Sequence, residues 1–287
     1  MAAVDTSSSA TRDLVREAAR AHGYDRYAAA LLAPPDKRDD LITLAAYFGE
    51  MARISLTSAD VAIGEIRLQW WRDAILGFGQ GSRTGSPVAD ALQEVQVRLG
   101  LPKDLLLSII EGRSRELYED GIADEAELVL YLEETEGAAF RLLAVVLGAE
   151  ASPTLDDLAS AAAASYGRMR LALDLPLHLE KQRLPLPPSL YSGGRDPRGL
   201  APQQARSAAR ALTLLLVREA EVALASFRDV QRLVPASIFA AFLPLALVKP
   251  YLRVLDSPRH DVLLELADIS PLSRLWWLWL ARWRGCV

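Results

Sequence analysis

Apolar residues recur at helical spacing along nearly the whole of this chain, and no stretch alternates apolar and polar residues as a half-buried strand would. That property confines the chain to the all-α class. Leu41, Leu44, Ala45 and Phe48 carry the period in a segment opened by Pro34-Pro35-Asp36, with Asp36 placed to cap it. A second helix is expected from about Ser58 to Leu76, closed by the loop Gly77 to Ser82 and by Gly85-Ser86-Pro87. Further helices are expected over 88–99, 103–119, 125–133 and 136–148. Ser152-Pro153 pairs an N-cap with a first-turn proline and starts a helix that carries on to about Lys181. Leu184 to Pro202, with five prolines and three glycines, is a long connection. Helices resume over 202–231, 235–255 and 258–266, and Ser270-Pro271 starts the last, a tryptophan-rich helix over about 271–284. No break in composition separates these elements, and 287 residues suffice for one large core. The expected architecture is a single large antiparallel helical bundle over residues 11–287, preceded by a disordered lead-in at 1–10.

Charge and cysteine content narrow the function classes. With 32 basic and 37 acidic residues the net charge is -5, which gives no electrostatic footing for nucleic acid. Cys286 is the only cysteine, so there is no internal disulfide framework and no cysteine-based metal site, as suits a reducing compartment. Met-Ala-Ala-Val-Asp, followed by Ser7, Ser8 and Ser9, lacks the basic and apolar runs of a secretory signal. The most apolar stretch, Ser237 to Val248, is too short to span a bilayer and contains Pro244. These features predict a cytoplasmic protein, with a peripheral contact at the inner membrane surface left open.

Four segments between Tyr24 and Leu190 carry a family pattern. The first runs from Asp25-Arg26-Tyr27 through Arg38 to Ala46-Tyr47-Phe48, and the second is Trp70-Trp71-Arg72-Asp73. The third spans Ile110-Glu111-Gly112 to Leu117, then Tyr131 and Gly137 to Gly148. The fourth is Gly167 to His178 with Arg183-Leu184-Pro185-Leu186-Pro187. In order and spacing they resemble the squalene and phytoene synthases, which implies the isoprenoid synthase fold. Those enzymes join two isoprenyl diphosphates head to head. Mg²⁺ held between facing helices makes the diphosphate a tolerable leaving group, and each helix supplies two aspartates four residues apart, on one face.

Here that pattern fails. Aligned through Phe48, the outer aspartates of the first motif fall on Arg53 and Thr57, with Ile54 at their inner neighbour; aligned through Gly167, those of the second fall on His178 and Gln182. The family's Gln and Asn fall on Leu171 and Asp174, and the acidic residue of the middle segment survives as Glu116. About four negative charges are lost and at least one positive charge is gained, so the resemblance implies a site that repels divalent metal. The run Gly64-Glu65-Ile66-Arg67-Leu68-Gln69-Trp70-Trp71-Arg72 looks more like the catalytically degenerate branch of the family, which includes the mitochondrial assembly factor of respiratory complex I and its bacterial relatives.

Several local features admit a sharp and a plain interpretation. Asp120-Gly121-Ile122-Ala123-Asp124 spells a metal-binding string, but Gly121 and its acidic flanks suit a solvated turn. Glu133, Glu134 and Glu136 are expected on an exposed helix shoulder near the pocket rim that the family resemblance implies. His178 is either a general base without a partner or a structural histidine. Arg53 and Arg183 either bind an anion together or pair with Glu50, Glu116 or Asp174. Trp70 and Trp71 point about 100° apart on a helix, so only one can face the core fully. Trp276, Trp279 and Trp283 line one face of the last helix, with Arg282 and Arg284 nearby, either as a membrane contact or as a helix packed on the bundle.

The resemblance therefore implies a non-catalytic protein that helps assemble a membrane complex such as respiratory complex I, binding its subunits, another protein partner or a lipid, with no cofactor. Two rivals remain at this point. One is an active prenyltransferase of squalene, phytoene or hopanoid biosynthesis, with Mg²⁺ on displaced carboxylates such as Glu50, Glu116, Asp120 or Asp174. The other is a carrier that holds an isoprenoid in the cavity of the fold. The non-catalytic and prenyltransferase readings separate on where the carboxylates converge.

Overall fold

The structure, a computed structural model, describes residues 2–77, 84–192 and 196–287, with side chains described from residue 10 onward. Fourteen α-helices and no strand occur among the described residues, as the periodicity predicts. They are α1 (Ala2–His22), α2 (Tyr24–Ala30), α3 (Arg38–Thr57), α4 (Val61–Leu76), α5 (Pro87–Leu99), α6 (Lys103–Arg115) and α7 (Glu125–Leu132). After a π-helical turn, Glu133–Gly137, come α8 (Ala138–Val146), α9 (Pro153–Glu180), α10 (Pro188–Tyr191), α11 (Pro202–Val230), α12 (Phe239–Phe242), α13 (Val248–Asp256) and α14 (Pro271–Arg284).

The sequence signals set most of these boundaries. Asp60 accepts from the Ala62 amide to start α4, and Gly77 stops it in the left-handed region at φ 83°. Ser86 with Pro87 starts α5, Ser152 with Pro153 starts α9, and Ser270 with Pro271 starts α14; each serine accepts a backbone N–H. Asp124 caps α7 through the Glu127 amide. Apart from Gly77, the expected glycine-rich loop lies outside the described residues, as do residues 193–195 of the long connection.

Some expectations are corrected. The backbone is helical from Ala2 to His22, where the sequence predicts a disordered lead-in at 1–10. Asp36 does not cap α3; Lys37 occupies that position without a side-chain bond. The helix expected over 235–255 divides into α12, a 3₁₀ segment Leu243–Leu247 and α13, since Pro244 brings no N–H to the ladder. Residues 258–266 form turns instead of a helix, with Asp261 accepting from the Leu263 amide in a local side-chain turn.

One continuous core of buried residues runs from Val15 of α1 to Ala281 of α14. Helices α9 and α11 pack against each other, α3, α8 and the π turn also pack on α9, and α6 packs on the π turn and α8. Small residues allow the approach. A Cβ on Gly167 would stand 2.4 Å from a Leu132 methyl, and one on Gly121 would stand 1.8 Å from the Arg115 carbonyl oxygen. Of the adjacent tryptophans, Trp71 is buried against the Tyr47 ring at 5.4 Å and Trp70 is exposed, as their angular separation requires.

Candidate functional site

A cavity of about 400 Å³, open on one side to solvent, lies between α2, α3, α6, the π turn, α9, α13 and the residues leading into α14. Its charged lining is balanced: Arg26, Arg113, Arg170 and Arg274 face Asp25, Glu136, Asp174 and Asp268. Every one of these carboxylates is held by an arginine. Glu136 accepts from Arg113 at 3.0 Å and also from Arg26. Asp174 accepts from Arg170 at 2.9 Å, and Arg274 reaches Asp25 and Asp268 at 2.6 Å each. Tyr251 donates to Asp25 at 3.0 Å and accepts from Arg274.

Arg26 has a further role. Its guanidinium lies 5.0 Å from the ring centroids of Phe48 and Tyr166 and 5.7 Å from that of Phe140, a cation enclosed by aromatic faces. The rings that could face a positive ligand already face this side chain.

Beneath the cavity, Glu116 is fully buried and collects Arg113 at 2.5 Å, Tyr131 at 2.5 Å and the Ser55 hydroxyl. Burial pushes its carboxyl upward, but Arg113, then His178, Ser55 and Tyr131, override it and hold the pKa below the usual value. Glu136 is lowered in the same way, Arg26 and Arg113 overriding burial. Asp25 goes the other way, because burial raises it more than Arg274 and Arg170 lower it.

The sequence-derived positions do not form one site. Arg53 and Thr57 lie in the last turn of α3. Arg53 pairs with Glu50 at 2.8 Å, and the Thr57 hydroxyl returns to the Arg53 carbonyl at 2.7 Å. Arg183 donates to the Ser55 carbonyl at 3.1 Å, so Arg53 and Arg183 each have their own partner near the end of α3. His178 is buried next to Glu116, and neither His178 nor Arg53 lines the cavity. Gln182 is not on the face of His178 at all. Helix α9 ends at Glu180, and Gln182 sits at φ 56°, in the left-handed turn that follows. Spacing of four places two side chains on one face only while the helix continues.

The displaced carboxylates do not converge either. Glu50 pairs with Arg53 at 2.8 Å, Glu116 with Arg113 at 2.5 Å, Asp174 with Arg170 at 2.9 Å and Asp120 with Arg198 at 3.1 Å. Asp120 and Asp124 belong to the acidic turn, where Asp124 serves as the α7 cap. No group of three or more His, Cys, Asp or Glu side chains suited to a metal ion occurs among the described residues. Mg²⁺ does not fit a donor set in which each carboxylate is already matched by a guanidinium.

Glu136 corrects one expectation outright. It is not on an exposed shoulder but buried in the cavity, because the π turn rotates it inward while Glu133 and Glu134 stay near the surface with Arg141 and Arg115. Sequence reasoning also missed Arg26, Arg113, Arg170 and Arg274 as functional candidates. Arg26 was available in the Asp25-Arg26-Tyr27 segment, but nothing local marked its partner.

Burial also lowers the His178 pKa, with Glu116 and Asp174 opposing and Arg113 and Arg183 adding to the fall. The fold therefore favours the neutral ring. In the unfolded chain the ring takes up a proton near pH ~6.5, so stability is fully present above that pH and is lost as pH falls toward the depressed folded-state value. One such group changes stability by at most about 1.4 kcal/mol per pH unit. Urea denaturation at about pH 7.5 and about pH 5.5 should show the wild type losing stability on acidification and His178→Asn losing less. Equal losses would assign the dependence to other groups.

Comparison with known proteins places this geometry. The squalene/phytoene synthase family model matches residues 19–276. NADH dehydrogenase (ubiquinone) complex I, assembly factor 6, of Bos taurus is 26% identical over 274 residues, covering 93% of this chain and 80% of its own. Among solved structures, a dehydrosqualene synthase superposes with a TM-score of 0.72 at 14% identity, covering 96% of this chain and 97% of its own. Squalene synthase HpnC from Alicyclobacillus acidocaldarius does so with a TM-score of 0.60 at 17% identity, covering 96% and 94%. The two structures share the fold; at these identities they speak to nothing more.

Proposed function

Since this chain belongs to the squalene/phytoene synthase family while each carboxylate that could replace the missing metal ligands is tied to an arginine, we propose that it is a non-catalytic member that assists assembly of a membrane respiratory complex. The single observation that carries this proposal is the neutralised cavity, with four arginines set against four carboxylates. Isoprenyl diphosphate carries several negative charges, and a cavity with no net positive charge and no metal to recruit gives them no compensation. The aromatic faces around Arg26 are engaged as well. Its resemblance to bovine complex I assembly factor 6 supports respiratory complex I as the assembly served, through a protein partner or lipid at the inner membrane surface. No helix among the described residues is long and apolar enough to cross a membrane.

Deleting the gene from the organism that encodes it tests the proposal. Native gels of its membranes should lose assembled NADH dehydrogenase complex, and the wild-type chain and Glu116→Gln should both restore it. Normal assembly in the deletion strain would refute the role. Failure of Glu116→Gln to restore a complex that the wild type restores, with the variant present at the wild-type level, would point to chemistry at Glu116.

A further inference from the structure

Helix α14 is amphipathic in an unusual sense, because its outward stripe is the apolar one. Leu272, Leu275, Trp276, Trp279 and Trp283 are all exposed and recur at three- and four-residue steps, the three tryptophans at 56%, 48% and 73% exposure. The indoles form a ladder. Trp276 and Trp279 have centroids 5.5 Å apart, and Trp279 and Trp283 are parallel at 6.1 Å. None of these three indole N–H groups donates to a protein acceptor among the described residues. Arg282 and Arg284 are exposed at the end of the same helix.

The stripe is not a loose tail. Leu278 and Ala281 are buried beneath it, and Arg274 is fixed between Asp25 and Asp268. Trp277, the one tryptophan turned aside, lies under the Arg253 guanidinium at 5.7 Å. The chain end is tied to the end of α11, with Arg228 donating to the Val287 carbonyl at 2.8 Å and the Val287 amide donating to Gln231 at 3.1 Å. Deleting the helix would therefore remove part of the core and the cavity wall along with the surface.

We propose that the outer face of α14 is a membrane-docking surface that lays Trp276, Trp279 and Trp283 into the headgroup layer of an anionic bilayer. Charge complementarity selects this occupant. The body of the protein is acidic overall, at -5, yet its exposed tryptophan face ends in two arginines suited to lipid phosphates. Tryptophan suits the same depth: its ring is apolar, and its free N–H finds acceptors among headgroup carbonyls and phosphates. Since each basic residue near an anionic surface contributes a few-fold or more to binding, reversing two should weaken binding by about thirtyfold, or about 2 kcal/mol at about 1.4 kcal/mol per tenfold.

The full chain is sedimented with phosphatidylcholine vesicles, with and without phosphatidylglycerol, at low and high salt. The wild type should bind the anionic vesicles with a blue shift of tryptophan emission, and salt should reverse the binding as the screening length contracts from about 8 Å to about 3 Å. Trp279→Ala with Trp283→Ala should lower affinity at least tenfold, and Arg282→Glu with Arg284→Glu about thirtyfold, with thermal unfolding near that of the wild type because all four side chains are exposed. Absence of wild-type binding at low salt, or binding unchanged in the tryptophan variant, would overturn the proposal. So would a concentration-dependent dimer that the tryptophan variant abolishes, since the face would then belong to a second copy. This inference stands apart from the assembly role: vesicle binding is measured without any partner complex.

Discussion

Replacing Arg113 with alanine is expected to cost about 3–5 kcal/mol of stability, the usual result of removing one partner from a buried ion pair. Arg113 stands between Glu116 and Glu136, at 2.5 Å and 3.0 Å, and all three side chains are buried. Without it, Glu116 retains only the Tyr131 and Ser55 hydroxyls, and Glu136 retains Arg26 alone. For a chain of this size the loss lowers the melting temperature by roughly 10 °C. The companion experiment separates an uncompensated charge from lost packing. Arg113→Met with Glu116→Gln should be more stable than Arg113→Met alone, because a neutral amide can still accept from Tyr131 and Ser55. Thermal and urea unfolding of the single and double variants measure both effects. A cost under about 1 kcal/mol for Arg113→Ala would mean that water already solvates the network, and the neutralised cavity would no longer follow.

The fold was legible because helix signals are local. Ser152-Pro153 and Ser270-Pro271 mark helix starts within two residues, and the structure starts α9 and α14 there. Where the reading slipped, a competing local bond or a proline decided: Asp261 turned 258–266 away from a helix, and Pro244 broke 235–255. The site was legible only as a loss. The resemblance located where aspartates should stand and found Arg53, Thr57, His178 and Gln182 instead. What replaced them was invisible, because its bonds are long-range. Arg26 meets Glu136 across 110 residues and Tyr251 meets Asp25 across 226. Glu136 was further hidden by the π turn, which adds a residue to the helical repeat and shifts the phase of everything around it. No pattern of spacing from a regular helix would have aimed it inward.

We propose that the cavity performs no metal-dependent joining of isoprenyl diphosphates. Loss of the metal and its ligands from such a site removes the main compensation for the departing diphosphate charge, an effect of many orders of magnitude in rate. The carboxylates nearest to substitutes are each neutralised by a guanidinium, so raising Mg²⁺ concentration should not recover the activity. The direct measurement is incubation of the purified chain with radiolabelled farnesyl or geranylgeranyl diphosphate, NADPH and Mg²⁺, followed by extraction of the hydrocarbon products. Squalene and phytoene should stay at the level of a control without protein, at every Mg²⁺ concentration. Product that rises in proportion to the protein and disappears in Glu116→Gln would contradict the account and make this chain a working synthase.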